Sequence, residues 1–204
     1  MAAASFTSHA PAGVPEETLR PLITTVERFL EVREELAKQR GEGGARGAAL
    51  LLVHALIAFH TPETRDVGQQ MLVLACSEAN VQKGEGKGSY KGWALTRSAL
   101  DAFKRLDDKP YVARSYVAGT SPENNYTLPK ECSVTFRLQD KYVGDVEKGD
   151  YKVFVWSSGA DSARPVTCKR NDNGVWKAHE FSTLTVGIRA PTGPKTTPSA
   201  SDDL

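Results

Sequence analysis

The spacing of apolar residues changes near Lys109 and Pro110, and this change restricts the fold more than any other feature. Before it, apolar residues recur every three or four positions, as on one face of an α-helix. After it, they alternate with polar residues, as in β-strands. Segregated helices and strands are typical of α+β domains and argue against a doubly wound parallel sheet. We therefore expect about four helices packed on a C-terminal antiparallel sheet of about five strands.

The same change predicts how the chain is divided. Residues 15–108 form a helical part and residues 109–190 a β part. Both are small for independent stability, so we expect one cooperative unit. Residues 1–14 and 191–204 lack apolar anchors, and we expect a disordered arm and a disordered tail there.

The helical part contains four segments with helix signals. A first helix is expected from Pro15, and a second over residues 45–60, which is apolar on nearly all sides and therefore central. Residues 61–63 (TPE) supply a capping hydroxyl, a proline and an acidic residue, which together start a third helix. A fourth is expected over residues 96–106. The most apolar stretch, residues 48–59, is shorter than the ~20 residues that a membrane-spanning helix needs, so we predict no membrane segment.

The β part contains short runs rich in β-branched and aromatic residues. Residues 171–174 (NDNG) predict a hairpin turn, because Asn and Gly tolerate positive φ. The predicted strands are 133–138, 151–156, 166–170, 175–181 and 184–189.

Charge and cysteine content exclude several classes of protein. The 26 basic and 25 acidic residues nearly balance, which disfavours nucleic-acid binding because phosphate contacts need a basic face. The three cysteines are far apart in sequence and form no CxxC pair, so neither a disulfide framework nor a zinc site is indicated. The N-terminus lacks the charged and apolar regions of a secretory signal. We therefore expect a cytoplasmic protein.

No motif predicts catalysis or a cofactor. Residues 84–89 (GEGKGS) do not match the phosphate-binding GxxxxGK[ST] loop, and they follow a predicted helix rather than a strand. The histidines form no metal-binding pair. Ser157, Ser158 and Ser162 have only His179 as a base, and no GxSxG sequence is present. We predict no catalytic residue, no cofactor and no metal.

Two polar loops carry more specific side chains than a turn requires: residues 119–126 (GTSPENNY) and 157–165 (SSGADSARP). The structural interpretation is an internal Asp161–Arg164 ion pair and a pairing of Arg114 with Glu123, each shaping its loop. The functional interpretation is a ligand or partner site. Its candidate residues are Arg114, Glu123, Asn124, Asp161 and Arg164.

Tryptophans in the β part offer a different surface. Strand alternation places Lys152, Phe154 and Trp156 on one face of their strand, while Tyr151 and its alternate neighbours lie on the other. One of these faces has to pack on the core. A Trp that remains on the surface, at position 156 or 176, would be typical of a carbohydrate platform.

Several of these segments resemble an uncharacterised family of bacterial proteins, a domain of unknown function. The resemblance rests on residues 109–116 (KPYVARSY), the two polar loops, 152–155 (KVFV) and 186–189 (VGIR), and it extends over about residues 67–191. It implies a bacterial source and one compact unit. No established activity or catalytic residue comes with it.

We expect a non-enzymatic interaction or structural module, such as a component or accessory of a larger bacterial assembly, with a protein as its partner. The alternative is a small-ligand-binding protein or enzyme with a polar cleft formed by Arg114, Glu123, Asp161 and Arg164 at the helix–sheet boundary. A third option is carbohydrate binding through a surface Trp. The sequence carries no signal for an oligomeric state.

Overall fold

The computed structural model describes the backbone of residues 16–19 and all of residues 21–39, 41–139 and 141–193. The predicted N-terminal arm and most of the predicted tail lie outside these residues. The described chain has the predicted α+β fold. Its α-helices are α1 (Val26–Ala37), α2 (Glu42–Phe59), α3 (Arg65–Ala75), α4 (Arg97–Lys104) and α5 (Tyr111–Arg114). Its strands are β1 (Glu16–Leu19), β2 (Val81–Lys83), β3 (Trp93–Leu95), β4 (Cys132–Arg137), β5 (Gly144–Asp145), β6 (Asp150–Val155), β7 (Arg164–Arg170) and β8 (Trp176–Glu180).

The main sheet is antiparallel, with strand order β1-β4-β6-β7-β8 and β5 paired with β6. Strands β4, β6, β7 and β8 correspond to four of the predicted strands. The predicted hairpin turn joins β7 to β8: Asn171 Oδ1 accepts a hydrogen bond from the Val175 amide at 2.9 Å. The turn prediction is therefore confirmed.

Helix α2 lies at the centre, as its composition predicts. By length and composition it is the one described helix that could cross a membrane, and 83% of it is buried inside the protein. It packs on α3 and on β6, β7 and β8. Gly68 allows the close approach of α3, because a Cβ at that position would lie 2.2 Å from the Phe59 backbone nitrogen. One hydrophobic cluster contains residues from the helices and from the sheet.

The start of the described chain differs from the prediction of a helix from Pro15. Strand β1 pairs with β4 there, and the first helix begins at Val26. Thr25 caps it, with its Oγ1 accepting a hydrogen bond from the Arg28 amide at 3.2 Å. A strand of only four residues is stabilised by pairing with its neighbouring strand, so the sequence pattern of those four residues does not predict it.

The segment after α3 also differs. The third helix ends at Ala75, and a 3-10 turn (Glu78–Asn80) and the antiparallel hairpin β2–β3 follow. The glycine-rich loop 84–89 therefore follows a strand, contrary to the prediction of a preceding helix. It leads into another strand, whereas a phosphate-binding loop leads into a helix.

The predicted strand 184–189 is wrong. Ser182–Thr185 form a 3-10 helix instead. Leu184 is buried there, and its carbonyl accepts a hydrogen bond from the Tyr116 hydroxyl at 2.9 Å. A segment rich in β-branched and apolar residues can be buried by tertiary packing without pairing to a neighbouring strand. Its composition therefore resembled that of a strand although no strand forms.

Along β6, the two faces of the main sheet differ in burial. Tyr151, Val153 and Val155 of β6 are buried on the inner face, towards α2. Lys152 and Phe154 of β6 are only half-buried on the outer face. The predicted alternation is confirmed.

Candidate functional site

The two polar loops meet in space, together with residues 109–116 and 186–189. Backbone hydrogen bonds join them: the Ser158 amide donates to the Ser115 carbonyl and the Arg189 amide to the Gly159 carbonyl, each at 2.9 Å. We call this region, formed by residues 109–126, 157–165 and 186–189, the motif junction. It brings together most of the segments that carry the family resemblance.

Buried hydroxyl groups hold the motif junction together. Ser115 Oγ donates to the Val112 carbonyl at 2.7 Å and lies 2.8 Å from Ser157 Oγ. Since the Ser115 proton is used in the first bond, Ser157 donates the second, and Ser157 Oγ also accepts from the Gly159 amide at 3.2 Å. Thr120 Oγ1 lies 3.1 Å from Ser158 Oγ. Each hydroxyl thus has a structural partner, as buried polar groups require.

Tyr126 is the aromatic anchor of the junction. Its side chain is fully buried, its hydroxyl donates to the Arg189 carbonyl at 2.7 Å, and its ring stacks on Tyr111 with centroids 5.7 Å apart. Burial raises the pKa of Tyr126 to about 12. A Cβ on Gly159 would lie 2.3 Å from the Tyr126 hydroxyl oxygen and 2.6 Å from Ile188 Cγ2. The junction therefore requires glycine at position 159.

Three of the candidate residues belong to the first half of the junction. Asn124 shapes its loop: Nδ2 donates to the Gly119 carbonyl at 2.9 Å and Oδ1 accepts from the Ser121 amide at 2.8 Å. Glu123 is exposed. Arg114 is half-buried at the end of α5, and its carbonyl accepts from Thr120 Oγ1 at 3.1 Å.

The predicted ion pair between Asp161 and Arg164 is wrong, because Asp161 pairs with Arg189 instead. The Asp161 side chain is 98% exposed and lies 3.6 Å from Arg189 Nη2. Arg164 Nη2 instead donates to the Gly187 carbonyl at 2.9 Å, and its buried Nε has no hydrogen-bond partner among the described residues. Burial raises the pKa of Tyr116, and the nearby Arg164 guanidinium opposes that rise. Arg164 therefore points into the fold, whereas Asp161 points into solvent.

A serine–histidine contact lies outside the predicted loops. His179 Nδ1 is 2.9 Å from Ser77 Oγ, and Asn80 Nδ2 donates to the His179 carbonyl at 2.9 Å. From the sequence, His179 is considered only as a base for Ser157, Ser158 or Ser162, and no such site is predicted. A bridge between Cys76 and β8 creates the observed contact, and local sequence carries no signal for such a long-range pairing. In the described parts of the chain, no group of three His, Cys, Asp or Glu residues is placed to hold a metal.

The outer face of the sheet presents aromatic and basic side chains. Arg137, Phe154 and Pro165 are directly paired across β4, β6 and β7. Direct partners in antiparallel strands share a face. Lys152 and Trp156 lie two residues to either side of Phe154, so all five residues occupy one outer surface. We call these five residues the basic aromatic face.

The tryptophans are placed differently by the fold. Trp176 is only 8% exposed and packs near Gly44 of α2, so it belongs to the core. Trp156 is half-buried next to the outer face of β6. Trp93 is 38% exposed on the β2–β3 hairpin, with Lys83 Nζ 4.1 Å from its ring centroid.

Comparison with known proteins gives one family. A family model described as "Domain of unknown function (DUF6935)" matches residues 21–192. No curated protein and no solved structure matches the chain. The matched region also includes α1 and α2, which the resemblance noted from the motifs left out. The prediction of an uncharacterised domain family is confirmed: the chain belongs to the DUF6935 family.

Proposed function

We propose that the protein is a non-enzymatic interaction module that binds another protein, as a component or accessory of a larger bacterial assembly in the cytoplasm. One observation carries this proposal: Phe154 and Trp156 remain only half-buried on the sheet face that lies opposite α2. Aromatic side chains are enriched at protein interfaces because they bury a large area at low entropic cost.

The geometry of the motif junction supports a non-enzymatic role. Its hydroxyls at Ser115, Thr120 and Ser157 are buried and hydrogen-bonded within the protein. A nucleophile needs a base within hydrogen-bond reach, and the described partners of these hydroxyls are backbone groups and other hydroxyls. The junction is built to hold segments together.

The polar-cleft alternative rests on Arg114, Glu123, Asp161 and Arg164. Arg164 contacts a backbone carbonyl and Asp161 is almost fully exposed beside Arg189. These placements favour separate structural and surface roles over joint recognition of one small ligand. The carbohydrate option has lost Trp176, which is buried. This option now depends on Trp156. The cations of the basic aromatic face lie next to Trp156, and they favour an acidic partner over a neutral sugar.

The proposal is tested by the size of the protein in cell extract. We expect tagged protein from the source organism to elute in a larger complex than the purified chain does, and to co-purify with a protein that rebuilds this complex when the two are mixed. A thermal-shift screen of the purified protein against metabolites tests whether it binds a small ligand instead. Elution at the purified size, together with a metabolite that stabilises the wild type but not Arg164→Ala, would support the polar-cleft alternative instead.

A further inference from the structure

We propose that the basic aromatic face binds an acidic segment of the partner protein, one that also carries apolar side chains. This inference rests on the proposed function and assigns it a surface. The surface contains the central row Arg137–Phe154–Pro165 and its neighbours Lys152 and Trp156.

Charge selects an acidic partner. Neither Arg137 nor Lys152 makes an ion pair with any residue that the structure describes, and Arg137 is exposed. Two carboxylates close to this face already have cationic partners: Glu42 pairs with Arg46, and Asp150 pairs with Lys169 at 3.8 Å. Glu180 lies on the same face two strands away from Lys152, and it accepts a hydrogen bond from Ser182 Oγ at 2.9 Å. The cations at positions 137 and 152 therefore add positive potential that an acidic segment complements, which favours both specificity and fast association.

Apolar contact supplies the remaining energy. Phe154 and Trp156 are half-buried on this face, and neither belongs to the hydrophobic cluster of the core or to the described side chains that pack against it. Leu138 is 54% exposed just beyond the end of β4, and it lines a depression at the edge of the sheet. Arg137, Lys152 and Phe154 of this face line the same depression, together with Tyr151 and Val153 of the inner face. Exposed apolar groups within a polar rim are typical of binding surfaces.

The size of the face fits a short segment better than a folded domain. Strands lie ~4.8 Å apart and rise ~3.3 Å per residue, so the row across three strands and the stretch from Lys152 to Trp156 span roughly 10 by 13 Å. A typical interface between folded proteins covers about 800 Å² on each partner. A second copy of this chain is a poor occupant, because a two-fold interface would place Arg137 and Lys152 against the same cations.

The experiment is a selection of random peptides displayed on phage against the purified full-length protein. Acidic peptides with apolar residues should be enriched on the wild type. The charge-reversed variant Arg137→Glu/Lys152→Glu should instead enrich basic peptides. A synthetic acidic peptide from the first selection should lose about tenfold or more in affinity for Trp156→Ala. It should bind Trp93→Ala, a matched control at a tryptophan outside this face, like the wild type.

The outcomes separate the site from the function. Selected peptides that bind Trp156→Ala as well as the wild type would place the interaction elsewhere and overturn this inference, while leaving the proposed function intact. A single-stranded RNA oligonucleotide that binds the wild type and loses binding in the charge-reversed variant would overturn the assignment of a protein partner. Thermal unfolding of each variant shows that it is folded, and Arg137→Glu alone, at an exposed position, provides a second test if the double variant is unstable.

Discussion

At the scale of single residues, Gly159 is a position in the motif junction that has no room for a side chain. We expect Gly159→Ala to destabilise the protein by about 1–3 kcal/mol, because its Cβ would overlap Tyr126 and Ile188 and force local movement. Urea unfolding measures the loss. Gly84→Ala is the control, since a Cβ there meets only Ala94 Cβ at 3.1 Å within 4 Å.

A double-mutant cycle tests the cause of this effect. Tyr126→Phe removes the oxygen that a Cβ at position 159 would meet at 2.3 Å. The combined variant should therefore lose less stability than the two single variants added together. Simple additivity would contradict the proposed overlap.

Asp161 and Arg164 are expected to differ strongly when each is replaced. Asp161→Ala should change the free energy of unfolding by less than about 1 kcal/mol, because both Asp161 and Arg189 are largely exposed and surface ion pairs contribute little. Arg164→Ala should cost roughly 1–3 kcal/mol through the lost bond to the Gly187 carbonyl and lost packing. Thermal unfolding of the two variants at low and high salt measures and compares their losses of stability. An equal loss in both variants would show that Asp161 has a structural role that its exposure does not explain.

Composition identified the residues of the junction but not their partners. The two loops stand out in sequence because they contain more polar side chains than turns need. The contact between them through Thr120 and Ser158 spans 38 residues, and Asp161 pairs with Arg189 rather than with its neighbour Arg164. Contacts between distant segments depend on the fold, so short-range reasoning chose the wrong partner.

At the scale of elements, α2 contains a group that makes its packing sensitive to acid. His54 lies fully buried in it, and burial lowers the pKa of His54 to about 4. In the unfolded chain the imidazole takes up a proton near its ordinary pKa of 6.5. Protons therefore bind preferentially to the unfolded state between these values, so stability is lost as the pH falls from 6.5 towards 4.

We expect His54→Leu to reduce this acid sensitivity. The difference between the free energies of unfolding at about pH 7.5 and about pH 4.5 should be smaller by roughly 2–3 kcal/mol in the variant, given ~1.4 kcal/mol per pH unit. Urea unfolding at the two pH values measures it. His60, whose pKa burial also lowers to about 4, is unchanged, so part of the acid sensitivity should persist. An identical loss in both proteins would contradict the role of His54.

Elements with strong periodicity could be predicted, and those that depend on partners could not. The all-apolar α2 and the alternating β6 follow directly from spacing. Strand β1 is ordered by β4. Strands β2 and β3 are joined by a glycine-rich loop, which resembles an interruption between helices. Residues 184–189 have the composition of a strand, yet Leu184 is buried in a 3-10 turn. Tertiary packing overrides local preference in each of these cases.

At the scale of the whole molecule, the helices and the sheet share one core. Cys168 Sγ of β7 lies 3.4 Å from the Ala45 carbonyl of α2, and Trp176 of β8 packs near Gly44. The hydrophobic cluster contains residues of α1, α2 and α3 together with residues of β4, β6, β7 and β8. Removing the sheet would therefore expose one side of a helix that is apolar on nearly every side.

The fragment 1–108 should consequently not fold by itself. It retains α2 and α3 but loses β6, β7 and β8, which cover α2 in the intact protein. It also loses β4, with which β1 pairs. We expect poor dispersion in its amide NMR spectrum and no sharp thermal transition, whereas the full chain should unfold in one cooperative step. A dispersed spectrum and a sharp transition from the fragment would show instead that the helical part is an independent domain, and that its packing on the sheet is an interface between two folded units.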